Sequence, residues 1–303
     1  MKVSVIINCH NGAKFLKHAL DSALSQTYEN IEVIFFDNYS SDGTGDLVSQ
    51  YKDERVKYFR SDTFLSLGQA RNEALQRAGG QLIAFLDSDD IWMPTKLELQ
   101  VPLFTEGVGL VYTTAEMVHL GKTTKVVSNK KIQGNLFGTL LGDYFLVMSS
   151  VVISREALYS LNQWFDPRFE IIEEYDLFLR IAANWQLKSP LGRLTQWRWH
   201  AGSTTFTKTK LITKEKRILL RKLKEEFPTL YRENVDAVTK VRGKIIVTLA
   251  LVLLRRNQSK KARALLRRSS IITKKGLFVY FASFFPYASV DKLYRFLKGN
   301  PLI

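Results

Sequence analysis

The feature that most constrains this chain is an alternation of two hydrophobic periods over roughly its first ninety residues. Short runs of β-branched and aromatic residues at 3–7, 31–36, 55–59 and 82–86 alternate with segments at 13–25, 44–51 and 69–78 whose apolar residues recur at helical spacing. The run at 3–7 is read as a buried strand, and the helices between the runs lie on the faces of the sheet. Strands that alternate with helices run parallel, because each crossover returns the chain to the same end of the sheet. The expectation is an α/β fold with a mostly parallel sheet flanked by helices. In open sheets of this kind ligands bind beyond the carboxyl ends of the strands. Asp37 closes the second run, and Asp87, Asp89 and Asp90 follow the fourth. Acidic side chains and the expected crevice therefore coincide.

Charge divides the chain into two parts. Residues 1–205 carry 20 Lys and Arg against 23 Asp and Glu, whereas residues 206–303 carry 24 against 6. The whole basic excess lies in the last third. A domain is expected over 1–205, with one half to about 105 and a second over 106–205, followed by a basic helical region over 206–303. In the second half, strands are expected at 108–113 and 147–153 and a helix at 170–183, with 194–200 a strand or a loop. In the basic region helices are expected at 211–225, 235–255, 259–268 and 276–297. There, basic side chains flank apolar stretches and the aromatic cluster Phe278, Tyr280, Phe281, Phe284, Phe285 and Tyr287. That composition fits an anionic membrane surface. Nucleic acid is the other acidic partner, but no helix-turn-helix, zinc-finger or RNP pattern is present, so no nucleic-acid partner is expected. The apolar stretches at 245–254 and 276–290, the latter broken by Pro286, fall short of the ~20 residues of a membrane span. One cysteine excludes a disulfide framework and a multi-cysteine zinc site.

Three constellations carry chemistry. The run at 82–86 delivers Asp87, Asp89 and Asp90 onto one short loop ahead of Trp92-Met93-Pro94. Carboxylates this close repel unless a cation neutralises them. Hard oxygen ligands favour Mg²⁺ or Mn²⁺, which leave positions open for substrate phosphates. The bland alternative is a solvated acidic turn capping the next helix. Asp37, followed by Asn38, Ser40, Ser41, Asp42 and Gly43, is a lone carboxylate that can accept from a nucleobase or a ribose, or else simply shapes a turn. Gly68-Gln69-Ala70-Arg71-Asn72 puts Arg71 in the first turn of a helix, where its guanidinium can fork onto a base carbonyl or a phosphate.

At these residues the chain resembles the family 2 glycosyltransferases, which have the GT-A fold. The matching stretches are Val3-Ser4-Val5-Ile6-Ile7 with Asn11, Gln26-Thr27-Tyr28, Glu32-Val33-Ile34 with Asp37, Ser41-Asp42-Gly43-Thr44, Ala70-Arg71-Asn72, and the run from Leu86 to Pro94. The resemblance implies a nucleotide-sugar donor, UDP-sugars ahead of dTDP- and GDP-sugars, with Asn11, Asp37 and Arg71 on the donor side. It makes Asp87 and Asp89 the D-x-D pair, Asp89 the main metal and diphosphate contact, and Asp90 an assistant. Asn8 and His10 stand where the family has a proline and an aromatic. Glu173-Glu174 resembles the family's second acidic motif, whose second member is the catalytic base, so that role falls to Glu174, with glutamate in place of aspartate. His200, after Trp197-Arg198-Trp199, is the implied further metal and diphosphate contact.

A helical wheel over 170–183 places Ile171, Tyr175, Phe178, Leu179 and Ala182 on one face and Glu173, Asp176 and Arg180 opposite. On that wheel Glu174 has the most apolar surroundings, and Asp176–Arg180 is a surface ion pair. The Q-x-x-R-W pattern of processive synthases is missed by one residue. The implied activity is inverting transfer of one sugar to a hydroxyl of a glycan or lipid-linked acceptor, in the cytoplasm and peripheral on the inner face of the cell membrane. The alternatives are a non-catalytic GT-A-like scaffold and a basic nucleic-acid- or lipid-binding protein.

Overall fold

In the computed structural model, residues 1–119, 121–127, 133–200, 209–268, 274–285 and 287 are described. The expected alternation forms: β1 (Val3–Cys9), α1 (Ala13–Leu24), β2 (Ile31–Asp37), α2 (Thr44–Ser49), β3 (Val56–Arg60), α3 (Leu67–Gln76) and β4 (Leu82–Phe85). There follow β5 (Ile91–Trp92), α4 (Lys96–Gln100), β6 (Val108–Tyr112), β7 (Thr114–His119), β8 (Lys122–Val127), α5 (Phe137–Gly142), β9 (Val151–Ser154), α6 (Arg155–Tyr159), α7 (Glu173–Asn184), β10 (Gln186–Lys188) and β11 (Arg193–Arg198). Seven strands make one sheet in the order β10-β6-β9-β4-β1-β2-β3, and only β9 runs against its neighbours. A second sheet has the order β5-β11-β7-β8.

β1 lies inside the larger sheet, and its alternate residues Val3, Val5 and Ile7 pack with Leu16, Ala19, Leu20 and Ala23 of α1 in one buried cluster. Each of the Val, Ile and Leu side chains contributes about 1.5–3 kcal/mol by leaving water. α3 begins two residues earlier than its apolar spacing predicts, because Ser66 caps it. The Ser66 hydroxyl accepts from the Gln69 amide, and the Gln69 side chain accepts in return from the Ser66 amide. Past its end, a Cβ on Gly80 would stand 2.6 Å from the Ser4 amide nitrogen. Only glycine lets the chain pass there.

The strand expected over 147–153 is half realised. Met148–Ser150 is a single 3₁₀ turn, and the strand starts at Val151. Ser150 explains the turn, since both its amide (2.8 Å) and its hydroxyl (2.7 Å) donate to the Val147 carbonyl. Of the segment 194–200 left open in the sequence, the part up to Arg198 belongs to strand β11. The β7–β8 hairpin has no sequence counterpart, because its outer strand is exposed and lacks a core-facing alternation.

Beneath the turn lies a fully buried lysine, Lys96 of α4. Its Nζ donates to Gln100 Oε1 (2.7 Å) and stands 4.1 Å from the Trp92 ring centre. Gln100 in turn donates to the carbonyls of Val111 (2.8 Å) and Ser150 (3.1 Å). Burial holds Lys96 well below the ordinary lysine pKa. The folded chain therefore binds fewer protons here than the unfolded chain, so stability rises with pH from the depressed value up to about 10.4. Lys96→Met is expected to remove that rise and to stabilise the protein near neutrality. Urea melts near neutral pH and at about pH 9.5 test this. Parallel pH trends in the two proteins would refute it.

The chain divides into two compact units, residues 1–140 with 144–203, and residues 141–143 with 204–303. The change at 205/206 expected from charge falls among residues outside those described. The second unit is helical: α8 (Thr209–Glu226), α9 (Pro228–Glu233), α10 (Val235–Arg255), α11 (Ser259–Arg268) and α12 (Lys274–Ala282). Val247, Ala250, Leu251 and Leu254 of α10 pack with Ala262 of α11 and Val279 and Ala282 of α12. The helix expected over 276–297 corresponds to α12 as far as Ala282, and residues 288–303 lie outside the described set. Among the described residues no helix is long and apolar enough to cross a membrane.

Candidate active site

β1, β2 and β4 are parallel neighbours, so their carboxyl ends open on one edge of the sheet. Asp37, at the end of β2, is fully buried. Its Oδ1 accepts from the Ser40 amide and its Oδ2 from the Tyr58 hydroxyl, both at 2.8 Å. Burial, reinforced by Asp37, pushes Tyr58 up to about 12. Asn11 has a left-handed backbone, φ 53°. Its Oδ1 accepts from the Ser41 amide (2.8 Å) and its amide donates to Ser40 Oγ (2.9 Å), which stitches the loop after β1 to the loop after β2. His10 accompanies it, with Nδ1 2.8 Å from the Asn38 carbonyl and its ring edge-on to Phe64.

The three aspartates of the acidic loop point in three directions. Asp90 is fully buried, accepting from the Ser149 hydroxyl (2.5 Å) and the Arg198 amide (2.9 Å). Burial, with Asp89 and Asp87 close by, pushes its pKa well up. Ser149 also receives the Asp87 amide on Oγ (3.0 Å) and the Trp92 indole N–H on its carbonyl (2.7 Å). Asp90 thus anchors the loop and does not face the crevice. Asp87 and Asp89 are partly exposed. Asp89 Oδ2 stands 2.9 Å from His200 Nε2, and the His200 ring stacks on Phe15 at 4.7 Å. The Asp89 carbonyl accepts from Arg198 Nε.

Arg71 joins this loop to the start of α7. Buried in the first half of α3, it donates from Nη2 to Asp87 Oδ1 (3.0 Å) and from Nη1 to Glu173 Oε1 (2.5 Å). Its Nη1 is also 3.7 Å from Glu174 Oε2. The fork expected to reach a nucleobase is taken up by carboxylates. Glu173 and Glu174 differ in exposure, 2% against 23% of the side chain. Glu173 Oε2 is buried with no hydrogen-bond partner, and burial plus the neighbouring Glu174 pushes the Glu173 carboxyl well up. Glu174 is also raised, by burial first and by Asp87, while Arg71 pulls it down. The Tyr144 hydroxyl lies 3.5 Å from Glu174 Oε1.

Two expectations from the helical wheel are corrected here. Glu173 and Asp176, not Glu174, are the deeply buried carboxylates of α7. The Asp176–Arg180 pair is buried, not on the surface. The wheel assumes one solvent face, but residues 163–165 cover it. Arg180 donates to Asp176 (2.9 Å) and to the carbonyls of Gln163 and Trp164, and Phe165 Cβ lies beside Gly68 of α3. Ser149, Tyr144 and Glu173 escaped the sequence reading as members of the site. The only available signal was Glu173's place in the paired acids.

Among the described residues no group of three or more His, Cys, Asp or Glu side chains gathers as a metal site. Two carboxylates on one loop, with an imidazole on one of them, are nevertheless a donor set that suits Mg²⁺ or Mn²⁺ alongside phosphate oxygens. The chemistry available is cation and diphosphate binding at the loop, with a carboxylate base across Arg71.

A family model described as Glycosyl transferase family 2 matches residues 4–161. Over 220 residues, covering 72% of this chain and 85% of that protein, the chain is 32% identical to the Escherichia coli UDP-Glc:alpha-D-GlcNAc-diphosphoundecaprenol beta-1,3-glucosyltransferase WfaP. Among solved structures it resembles S. aureus TarS 1-349 in complex with UDP-GlcNAc, with a TM-score of 0.61 and 19% identity, over 93% of this chain and 91% of that one. It spans 55% of a longer TarS chain. The Pyrobaculum calidifontis mannosyltransferase PcManGT, solved with GDP-Man and Mn2+, matches with a TM-score of 0.62 and 16% identity over 98% of this chain and 83% of that one. These structural likenesses establish the GT-A fold. With a family match across half its length and a relative of that identity and coverage, the chain belongs to glycosyl transferase family 2.

Proposed function

We propose that the protein is an inverting, non-processive glycosyltransferase that moves one sugar from a nucleotide-sugar, first of all a UDP-sugar, to a hydroxyl of a glycan carried on a lipid diphosphate. The observation that carries this is the Arg71 bridge, which sets Asp87 of the acidic loop and Glu174 on one guanidinium, at 3.0 and 3.7 Å. A donor diphosphate at the loop would then present its anomeric carbon near a carboxylate. The name of WfaP supplies the acceptor class, and the UDP-GlcNAc complex of TarS supports the donor class.

In this reading Asp37 and Asn11 shape the nucleoside pocket, and Arg71 acts by holding Asp87 and Glu174. Asp89, helped by Asp87 and His200, would hold Mg²⁺ or Mn²⁺. Such an ion, when bound, offsets the charge of the departing diphosphate. Glu174 accepts the proton of the acceptor hydroxyl. The hydroxyl oxygen forms its bond to the anomeric carbon from the side opposite the diphosphate. The anomeric C–O bond breaks, its electron pair stays with the phosphate oxygen, and the configuration inverts. An acceptor in the membrane agrees with an anionic membrane surface as the partner of 206–303 and with a peripheral place on the inner face of the cell membrane.

Thermal shifts with UDP, GDP, dTDP and their sugars, with and without Mn²⁺, test the donor site. A nucleotide at about 100 times its Kd adds roughly 2.7 kcal/mol. One nucleotide is expected to give a Mn²⁺-dependent shift that Asp89→Ala abolishes. No shift with any nucleotide would overturn the reading.

A further inference from the structure

In the second unit, α12 buries one side and bares the other. Val279 and Ala282 close the cluster with α10 and α11. On the other side, and in the turn that follows, Leu277 is 46% exposed, Phe281 63%, Phe284 58% and Phe285 63%. Single exposed aromatics are ordinary in proteins, but several large apolar side chains within nine residues form a patch that marks an interaction surface. Cations are fixed along its edge. The Arg263 guanidinium lies 4.6 Å from the Phe284 ring centre and donates to the Ser283 carbonyl (2.6 Å). Arg267 donates to the Tyr280 hydroxyl (2.9 Å) and stands 5.6 Å from its ring. Lys260 and Lys261, one turn earlier on α11, are exposed.

We infer that this edge is where the second unit enters an anionic lipid bilayer, with Phe281, Phe284 and Phe285 in the upper acyl layer and Arg263 and Arg267 on headgroup phosphates. Phenyl rings flanked by guanidinium groups match the two layers of such an interface, apolar below and anionic above. A second copy of the chain is a poor occupant, because pairing the patches would face one strongly basic region with another. A nucleic acid is also poorly served. Arg263 and Arg267 already cover one face of Phe284 and Tyr280, whereas base stacking needs open ring faces and insertion into lipid does not. The inference rests on the proposed lipid-carried acceptor for its use by the enzyme, but not for its physical basis.

The test is co-sedimentation of the full chain with vesicles of phosphatidylcholine alone and of phosphatidylcholine with phosphatidylglycerol. The wild type is expected to sediment with the mixed vesicles and hardly at all with the neutral ones. Phe281→Ser with Phe285→Ser should lower the mixed-vesicle partition coefficient at least tenfold. Arg263→Gln with Arg267→Gln should weaken it and flatten its salt dependence. Unchanged thermal unfolding of the variants shows that they fold. The nucleotide shift, measured on the same variants, reports on the donor site separately, so a failure of either reading leaves the other standing. Three results would each overturn the inference: no vesicle binding by the wild type, binding that survives loss of both phenylalanines, or capture by a single-stranded oligonucleotide in place of vesicles.

Discussion

Glu174→Gln is expected to leave nucleotide-sugar binding intact and to lower the transfer rate about 10²- to 10⁴-fold, the range a positioned general base supplies. Glutamine keeps the size and one acceptor oxygen but cannot take a proton. Binding should persist because the acidic loop is anchored by Ser149 and Arg198, not by Glu174. The same residue sets the acid limb of the pH profile. Burial and Asp87 raise the Glu174 pKa, against the pull of Arg71. The base acts only when ionised. Activity should therefore fall with decreasing pH through a value above the ordinary glutamate pKa of about 4.3. Turnover measured across pH, beside thermal shifts with donor, checks both statements. Full turnover by the variant would remove Glu174 from the role.

The second large effect is on stability. Arg71→Met is expected to destabilise the first unit by about 3–5 kcal/mol, the cost of breaking a buried ion pair from one side. Glu173 Oε1 would lose its donor while Oε2 already has none. Asp87 and Glu174 would lose the guanidinium beside them as well. The sign of the pH dependence follows from Glu173. Its folded pKa is raised, so the folded state keeps a proton that the unfolded chain releases above about 4.3. Removing Arg71 raises the folded value further, so the loss is full above both folded values and shrinks as pH falls through them. Denaturant melts of both proteins from about pH 9 down to about pH 4.5 measure this. A loss under 1 kcal/mol at the alkaline end, or one independent of pH, would mean that Arg71 is not the neutralising charge.

The parallel sheet and its acidic edge were legible because both are written in local pattern. β1, β2 and β4 each show as a short, mostly apolar run, and Asp37 and Asp87 stand directly beyond two of these runs. The second-unit helices α8, α10 and α11 also lie where helices are expected from the change of character of the chain. What escaped depends on pieces distant in sequence. No wheel of α7 could show that residues 163–165 close its polar face, and no loop pattern shows that Asp90 faces Ser149 while Asp89 faces His200. Arg71 was singled out as a cation near the site, but its partners lie on the acidic loop and at the start of another helix. Nothing in the local pattern marks Lys96 as buried, and it is Trp92 and Gln100 that enclose it in the fold.

The contacts that give the acidic loop its shape span long stretches of chain. Asp90 reaches Ser149 across 59 residues and the Arg198 amide across 108, and Arg71 reaches Glu173 across 102. Closures of that length are among the last to form, since chain entropy opposes them until the local sheet and helices exist. A ribosome delivers the N-terminal half first. The first 105 residues contain every letter of the loop, and Arg71 beside it, but neither Ser149 nor Arg198, which hold Asp90. The growing chain therefore carries the loop's sequence for about a hundred residues of synthesis before it can carry the loop's geometry, and catalytic competence arrives only when β11 pairs into place.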